Sequence, residues 1–281
     1  MHAAAALRPS VSVVITTYNW PEALSVCLES FRHQDTTDFE IVVADDGSGP
    51  ATRELIRATA RGFPVRIKHV WHPDQGFRLA AIRNRAFAHA AGDYIVLMDG
   101  DCFVLRDFIR RHIALREPGM FVSGRRTWLG QRVTRHVLAR GTPPSGAWPY
   151  WFAWSLAGQV TGPFELIAAP PKLGFRYRLS DRYQRAQTCN LGYWRADCAA
   201  VGGYDERYMD HGLEDSDFVV RMLRHGVRRK EGAHGSIVLH LNHPRRQRAP
   251  AARNEALFAE LLASDRLVAG HLLVPEQAEA A

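Results

Sequence analysis

The chain has 281 residues, 46% of them hydrophobic and 23% charged, an ordinary globular composition with room for one large domain or two small ones. No apolar run reaches the roughly 18 residues of a spanning helix, and the opening MHAAAALRPS lacks the charged first region of a secretion signal, so a cytoplasmic protein is expected. The net charge of +7 comes without any helix-turn-helix, RRM or finger pattern, and only Arg245-Arg246-Gln247-Arg248 forms a cluster; nucleic acid is set aside, while a nucleotide-sugar ligand or an acidic membrane surface fits.

In chain order, VSVVIT (11–16) is a β-branched run and predicts a strand. Pro21 suits a first helical turn, and Ala23, Leu24, Cys27, Leu28 and Phe31 follow at helical spacing. EIVVA (40–44) predicts a second strand, closed by Asp45-Asp46-Gly47-Ser48. A helix near 51–60, a strand VRIKHV (65–70), a helix over 79–91 and a strand over 94–99 follow. Continuous apolar strands alternating with helices predict a parallel sheet covered on both faces. Residues 124–187 lose this rhythm and are rich in Gly, Pro and aromatics, including TPPSGAWPYWFAW (142–154). Beyond them TCNLGYWR (188–195) reads as extended, 214–224 as helix, SIVLHL (236–241) as strand, and the tail from 249 as an Ala/Glu/Leu helix followed by disorder. Cys27, Cys102, Cys189 and Cys198 form no CxxC pair, so four reduced thiols are expected.

In parallel sheets ligands gather at the carboxyl ends of strands. That selects Thr16-Thr17-Tyr18-Asn19, Asp45-Asp46-Gly47-Ser48 and Asp99-Gly100-Asp101. Carboxylates at i and i+2 in a turn can share one hard divalent cation, although a polar turn after a strand looks the same. Asp46 could accept from a nucleobase N–H, or DDGS could be a plain type I turn. Arg78, Arg83 and Asn84 lie in a segment suited to phosphate and hydroxyl contacts near a helix N-terminus, or on an exposed basic face. Three acids within Glu214-Asp215-Ser216-Asp217 exceed what capping needs; one could act as a general base. His240 could bind metal, or simply pack. The aromatics Trp148, Tyr150, Trp151, Phe152 and Trp154 fit core packing first, then acceptor contact, then membrane contact.

Taken in order, TTYN, DDGS, the Gly-Phe-Arg and Arg-Asn segment, MDGD, NLGYW, GLEDSDF and VLHLNH resemble the inverting GT-A glycosyltransferases of family 2, in particular the transferase modules of bacterial chondroitin polymerase and of capsule and lipopolysaccharide enzymes. The resemblance spans about residues 10–245 and implies an α/β GT-A fold, a mostly parallel central sheet flanked by helices with an irregular acceptor-side region. It implies a nucleotide-binding half over 11–101, an acceptor half over 102–248, and tails over 1–10 and 249–281. It implies that Thr16, Tyr18 and Asp46 hold the nucleotide, with Asp46 on the uracil, and that Arg78, Arg83 and Asn84 line the donor site. Asp99 and Asp101 would approach Mn²⁺ or Mg²⁺ on the diphosphate, with His240 as a further ligand and His243 competing for that role. Asp215 matches the catalytic base, and Glu214 would help to orient the acceptor.

The implied reaction moves a hexose or N-acetylhexosamine from a UDP-sugar to a glycan or lipid-linked glycan acceptor in cell-surface polysaccharide synthesis, at the inner face of the membrane if the acceptor is lipid-linked. The polymerases carry two transferase modules and this chain has room for one, so a single addition is expected. A sugar nucleotidyltransferase should carry a Gly-rich phosphate loop, which TTYNWPEA does not offer. A catalytically silent scaffold would not need both Asp101 and Asp215, and a glycoside hydrolase would leave the nucleotide-type segments without purpose.

Overall fold

The computed structural model describes residues 9–142, 148–186, 188–244 and 251–270. The Arg245–Arg248 cluster, most of the N-terminal tail, the end of the C-terminal tail and the Trp148 side chain lie outside the described residues. The first half runs β1 (Val11–Thr17), α1 (Pro21–Arg32), β2 (Phe39–Asp45), α2 (Pro50–Ala60), β3 (Ile67–Trp71), α3 (Leu79–His89) and β4 (Tyr94–Asp99), close to the predicted order. Then come β5 (Cys102–Val104), α4 (Phe108–Leu115), β6 (Met120–Ser123), β7 (Arg125–Trp128), α5 (Gln131–Arg140), α6 (Trp148–Leu156), β8 (Asn190–Trp194), α7 (Arg195–Ala200), α8 (Glu214–Arg224), β9 (Arg228–Glu231), β10 (Ile237–His240) and α9 (Ala252–Leu262).

A seven-stranded sheet has the order β3-β2-β1-β4-β8-β6-β9. Strands β1 to β4 are mutually parallel, and β8 enters antiparallel between β4 and β6. Side chains alternate across each strand, and both faces are covered: Val14, Val42, Ile95 and Leu97 feed one core, while Val13, Ile15, Ile41, Val43, Val96 and Met98 feed the other. A three-stranded sheet, β5-β10-β7, lies over a third core that includes Phe103, Trp151, Leu129 and Leu239.

The region with no legible rhythm, 124–187, holds β7, α5, α6 and short 3-10 turns. Helix α6, WPYWFAWSL, is apolar almost all round and so carries no 3.6-residue stripe. Trp151 is fully buried against Phe103, ring centroids 5.7 Å apart, so core packing is its role. The four cysteines are free, as expected, and all four are buried. No helix among the described residues is long and apolar enough to cross a membrane.

Candidate active site

Register brings the three strand-end segments together. Thr16 lies opposite Asp99 across β1 and β4, and Thr17 opposite Asp45 across β1 and β2. The Thr16 hydroxyl donates to Asp99 Oδ1 at 3.1 Å. Gly100 is required between the two aspartates: its N–H bonds the Thr16 carbonyl at 2.7 Å, and a Cβ there would sit 2.9 Å from that same oxygen.

The small sheet delivers the histidines. β10 pairs with β5 so that His240 faces Cys102, and the Leu241 N–H bonds the Asp101 carbonyl at 2.9 Å. His240 Nε2 lies 3.5 Å and His243 Nε2 3.1 Å from Asp101 Oδ2. Each ring turns its Nδ1 to a backbone carbonyl, His240 to Leu241 at 2.7 Å and His243 to Pro244 at 3.1 Å. With Nδ1 engaged by a carbonyl, each Nε2 would be the atom available to a cation held beside Asp101, the arrangement of metal-ligating histidines.

The donor set fits a hard or borderline divalent cation. Asp101, Cys102 and His240 offer ligand atoms within 4.8 Å of one another. Burial pushes the Cys102 thiol well up, which leaves the carboxylates and imidazoles as ligands. Burial and the Asp101 charge push Asp99 up to about 6. Burial acts the same way on Asp101, but His243 and His240 outweigh it and hold the group below its ordinary value. A cation seated there would relieve the repulsion felt by Asp99.

Just past β1, Tyr18 is 46% exposed and its hydroxyl donates to Asp74 Oδ2 at 2.9 Å. Asp46 is buried, with His72 Nε2 2.7 Å from one carboxylate oxygen and the Arg78 backbone N–H donating to the other at 3.1 Å. It is thus a fixed acceptor, each oxygen keeping a second lone pair. Arg78 itself has a buried Nε with no partner among the described residues.

Two expectations about α3 need correction. Arg83 and Asn84 sit in its second turn, not at its N-terminus. Asn84 does not line the crevice: it is 1% exposed, accepts from the Tyr204 N–H at 2.8 Å, and donates to the Tyr204 carbonyl at 2.8 Å and Glu206 Oε1 at 3.1 Å. It ties α3 to the loop before α8. Arg83 is 3% exposed and donates to Glu214 Oε1 at 3.1 Å. Burial disfavours its charge, yet Tyr204, Glu214, Asp99 and Asp215 together raise its pKa.

The acidic run at the start of α8 divides into three roles. Asp217 is fully buried, 2.6 Å from Arg221 Nε and 3.2 Å from the Tyr208 hydroxyl, so it holds the core. Glu214 is buried on Arg83, and burial with the Asp215 charge pushes it up to about 7. Asp215 is half-buried, accepting from the Thr188 hydroxyl at 3.0 Å and the Ser216 N–H at 2.7 Å. It is the carboxylate of the three that combines access with fixed orientation. The run begins after Leu213, held at φ 74, in the left-handed region that costs a non-glycine residue about 1 kcal/mol or more. That turn is braced by Asn254 of α9, whose amide donates to the Gly212 carbonyl at 2.9 Å.

Sequence reasoning missed Arg126. Its guanidinium lies 4.0 Å from the Trp128 ring, Trp128 lies 4.4 Å from His240, and Arg126 Nε is buried without a partner among the described residues. Its charge reaches Asp99 and His240, and the buried Cys189 thiol feels Asp99, Arg126, Asp101 and Asp215 together. No local signal marked it, because the register that brings β7 beside β10, Arg126 opposite Val238, joins residues far apart in sequence.

Residues 12–167 match the family described as glycosyl transferase family 2, and 170–244 match the family described as the N-terminal domain of galactosyltransferase. Chondroitin synthase of Escherichia coli is 36% identical over 243 residues, 79% of this chain and 34% of that protein. Validoxylamine A glucosyltransferase of Streptomyces hygroscopicus subsp. jinggangensis is 28% identical over 233 residues, 78% of this chain and 52% of the relative. The chain spans about half the length of the first curated relatives it matches. Among solved structures, S. aureus TarS 1-349 in complex with UDP aligns with a TM-score of 0.62 at 16% identity, over 93% of this chain and 67% of that one. Such neighbours share the GT-A arrangement of sheet and helices.

Proposed function

The chain belongs to glycosyl transferase family 2, and on that premise we propose that it transfers a hexose or N-acetylhexosamine from a UDP-sugar to a glycan or lipid-linked glycan hydroxyl, with inversion at the anomeric carbon. The observation that carries this reading is the meeting of Asp99, Asp101, His240 and His243 at the end of β4 with one accessible, oriented carboxylate, Asp215, at the start of α8. Residues 11–101 serve as the nucleotide half and 102–248 as the acceptor half of one transferase domain.

Asp101, His240, His243 and Asp99 would hold the cation, and an imidazole in the set favours Mn²⁺ over Mg²⁺, which takes oxygen almost exclusively. The ion would supply charge neutralisation at the diphosphate. Tyr18 offers its exposed ring to the base, and the outer lone pairs of Asp46 can take the uracil N–H. Arg126, with its unpartnered Nε, adds a second positive charge beside the leaving group. The acceptor oxygen bonds to the anomeric carbon as that carbon's bond to the phosphate oxygen breaks; the electron pair departs with UDP, and the acceptor proton passes to Asp215. Glu214, pinned by Arg83, fixes the first turn of α8 and so the aim of Asp215. Attack from the face opposite UDP turns an α-linked donor into a β-linked product.

A thermal-shift series with UDP, GDP, CDP, dTDP and UDP-hexoses, each with and without Mn²⁺, tests it, because a ligand of the folded state raises the melting point. A rise with UDP compounds that requires Mn²⁺, and that Asp101→Asn abolishes, supports the reading. A larger rise with another nucleotide would replace the donor, and no shift with any would refute the donor site.

A further inference from the structure

The charge of this protein is not evenly distributed. Residues 124–187 contain ten Lys and Arg and two Asp and Glu, so this stretch alone accounts for the whole net charge of +7 and the remainder is close to neutral. Part of that charge is internal: Arg125 pairs with Glu231 at 2.7 Å, and Arg176 is fully buried on backbone carbonyls. Lys172, Arg178 and Arg182 are exposed. Helix α5 carries no acid, and its exposed side presents Arg132, Arg135 and Arg140.

Beside this basic face lies an apolar one. Leu156 is 78% exposed, Phe164 60% and Ile167 42%. Phe152, one turn before Leu156, meets the Phe164 ring at 5.7 Å, and Trp154 meets His136 of α5 at 6.0 Å. The surface also adjoins the catalytic crevice. Leu129 bridges Val160, the Thr161 N–H bonds the Trp128 carbonyl at 3.1 Å, and the Trp128 ring stacks near His240.

We propose that α5, the end of α6 and the 163–167 turn form a docking surface for an anionic lipid bilayer. Leu156, Phe164 and Ile167 would enter the headgroup boundary, with Arg132, Arg135 and Arg140 on the phosphates. Charge complementarity argues for an anionic surface, and the apolar side chains decide between its sources. A soluble polyanionic glycan could stack on Phe164 but has no use for exposed aliphatic Leu156 and Ile167, whereas a bilayer offers both a negative surface and an apolar interior. The surface itself does not depend on the transfer reading. Its use does: docked this way, the protein holds its acceptor-side crevice next to the membrane, where a lipid-linked acceptor would emerge.

The test is sedimentation of the full chain with phosphatidylcholine vesicles, with and without phosphatidylglycerol, at low and high salt and with no nucleotide. Capture only by phosphatidylglycerol vesicles, weakening with salt, is expected. Arg132→Glu with Arg135→Glu should lower vesicle affinity by about thirty-fold or more, and Leu156→Ser with Phe164→Ser by about ten-fold. Both variants should keep the wild-type melting point and the wild-type shift with UDP and Mn²⁺, so failure of the donor site and failure of the surface read out separately. If the double apolar variant lowers the melting point, Leu156→Ser alone, at the most exposed position, carries the test. Absence of vesicle binding overturns the proposal. So does undiminished binding of the apolar variant together with full competition by heparin, which would make the surface an anionic-glycan site. So would dimerisation in light scattering that Leu156→Ser abolishes, since a second copy would then cover the face.

Discussion

Asn84→Ala separates a binding residue from a structural one. The Asn84 side chain is 1% exposed and its amide makes three hydrogen bonds, one from the Tyr204 N–H and two to the Tyr204 carbonyl and Glu206 Oε1. Alanine would strand both buried backbone groups of Tyr204 and leave a small void. Each stranded group costs about 1–3 kcal/mol, so a loss of about 3–5 kcal/mol is expected. In a chain of this size that lowers the melting point by about 5–8 °C. The paired assay is a thermal melt and a UDP titration with Mn²⁺ well below both midpoints. Affinity should stay within about two-fold of wild type, since the amide is spent on the 204–206 loop. Asn84→Asp should melt at least as early, because it loses both donors and sets a charge beside Glu206. Gly203→Ala should do the same, its new Cβ arriving 2.6 Å from Asn84 Oδ1 at φ +68. An unchanged melting point with a ten-fold or greater loss of UDP affinity, about 1.4 kcal/mol, would refute the reasoning and return Asn84 to the donor site.

Asp215→Asn should abolish turnover while UDP with Mn²⁺ binds as before; a large loss of nucleotide affinity would place Asp215 in the wrong half of the site. Arg126→Ala should weaken UDP by about ten-fold or more, a charge-assisted contact being worth about 1.5–3 kcal/mol, while uridine is unaffected and Arg126→Lys recovers part of the loss; equal losses for UDP and uridine would remove it from the diphosphate. Glu214 is held at about 7 in the folded chain against 4.5 ordinarily, so the folded state retains its proton longer than the unfolded one. Its contribution is therefore complete below about pH 4.5 and declines as pH rises to about 7, amounting to about 3 kcal/mol. Denaturation from pH 4.5 to 8 should show Glu214→Gln gaining stability relative to wild type by about that amount, and a constant difference between the two would contradict the buried, proton-retaining Glu214.

Residues 11–101 were legible in the sequence because their elements are local. VSVVIT, EIVVA and YIVLMD are continuous apolar runs that only a doubly covered parallel strand satisfies, Pro21 starts α1, and each acidic segment follows its strand directly. The same holds for α8, whose Phe218 and Met222 point into the core while acids crowd its first turn. Tertiary structure decided what local pattern does not encode. The pairing of β10 with β5 and β7 sets His240 and His243 on Asp101 and brings in Arg126 from a stretch with no legible period. Burial divided Glu214, Asp215 and Asp217, near-identical as letters, into a buried partner of Arg83, a half-buried carboxylate and a core clamp. Burial also moved Asn84 from the crevice wall to the framework. The types and spacing of residues determine which chemistry a chain can carry; which of those residues meets solvent, and which meets another from far along the chain, is set only when long-range register and packing are complete.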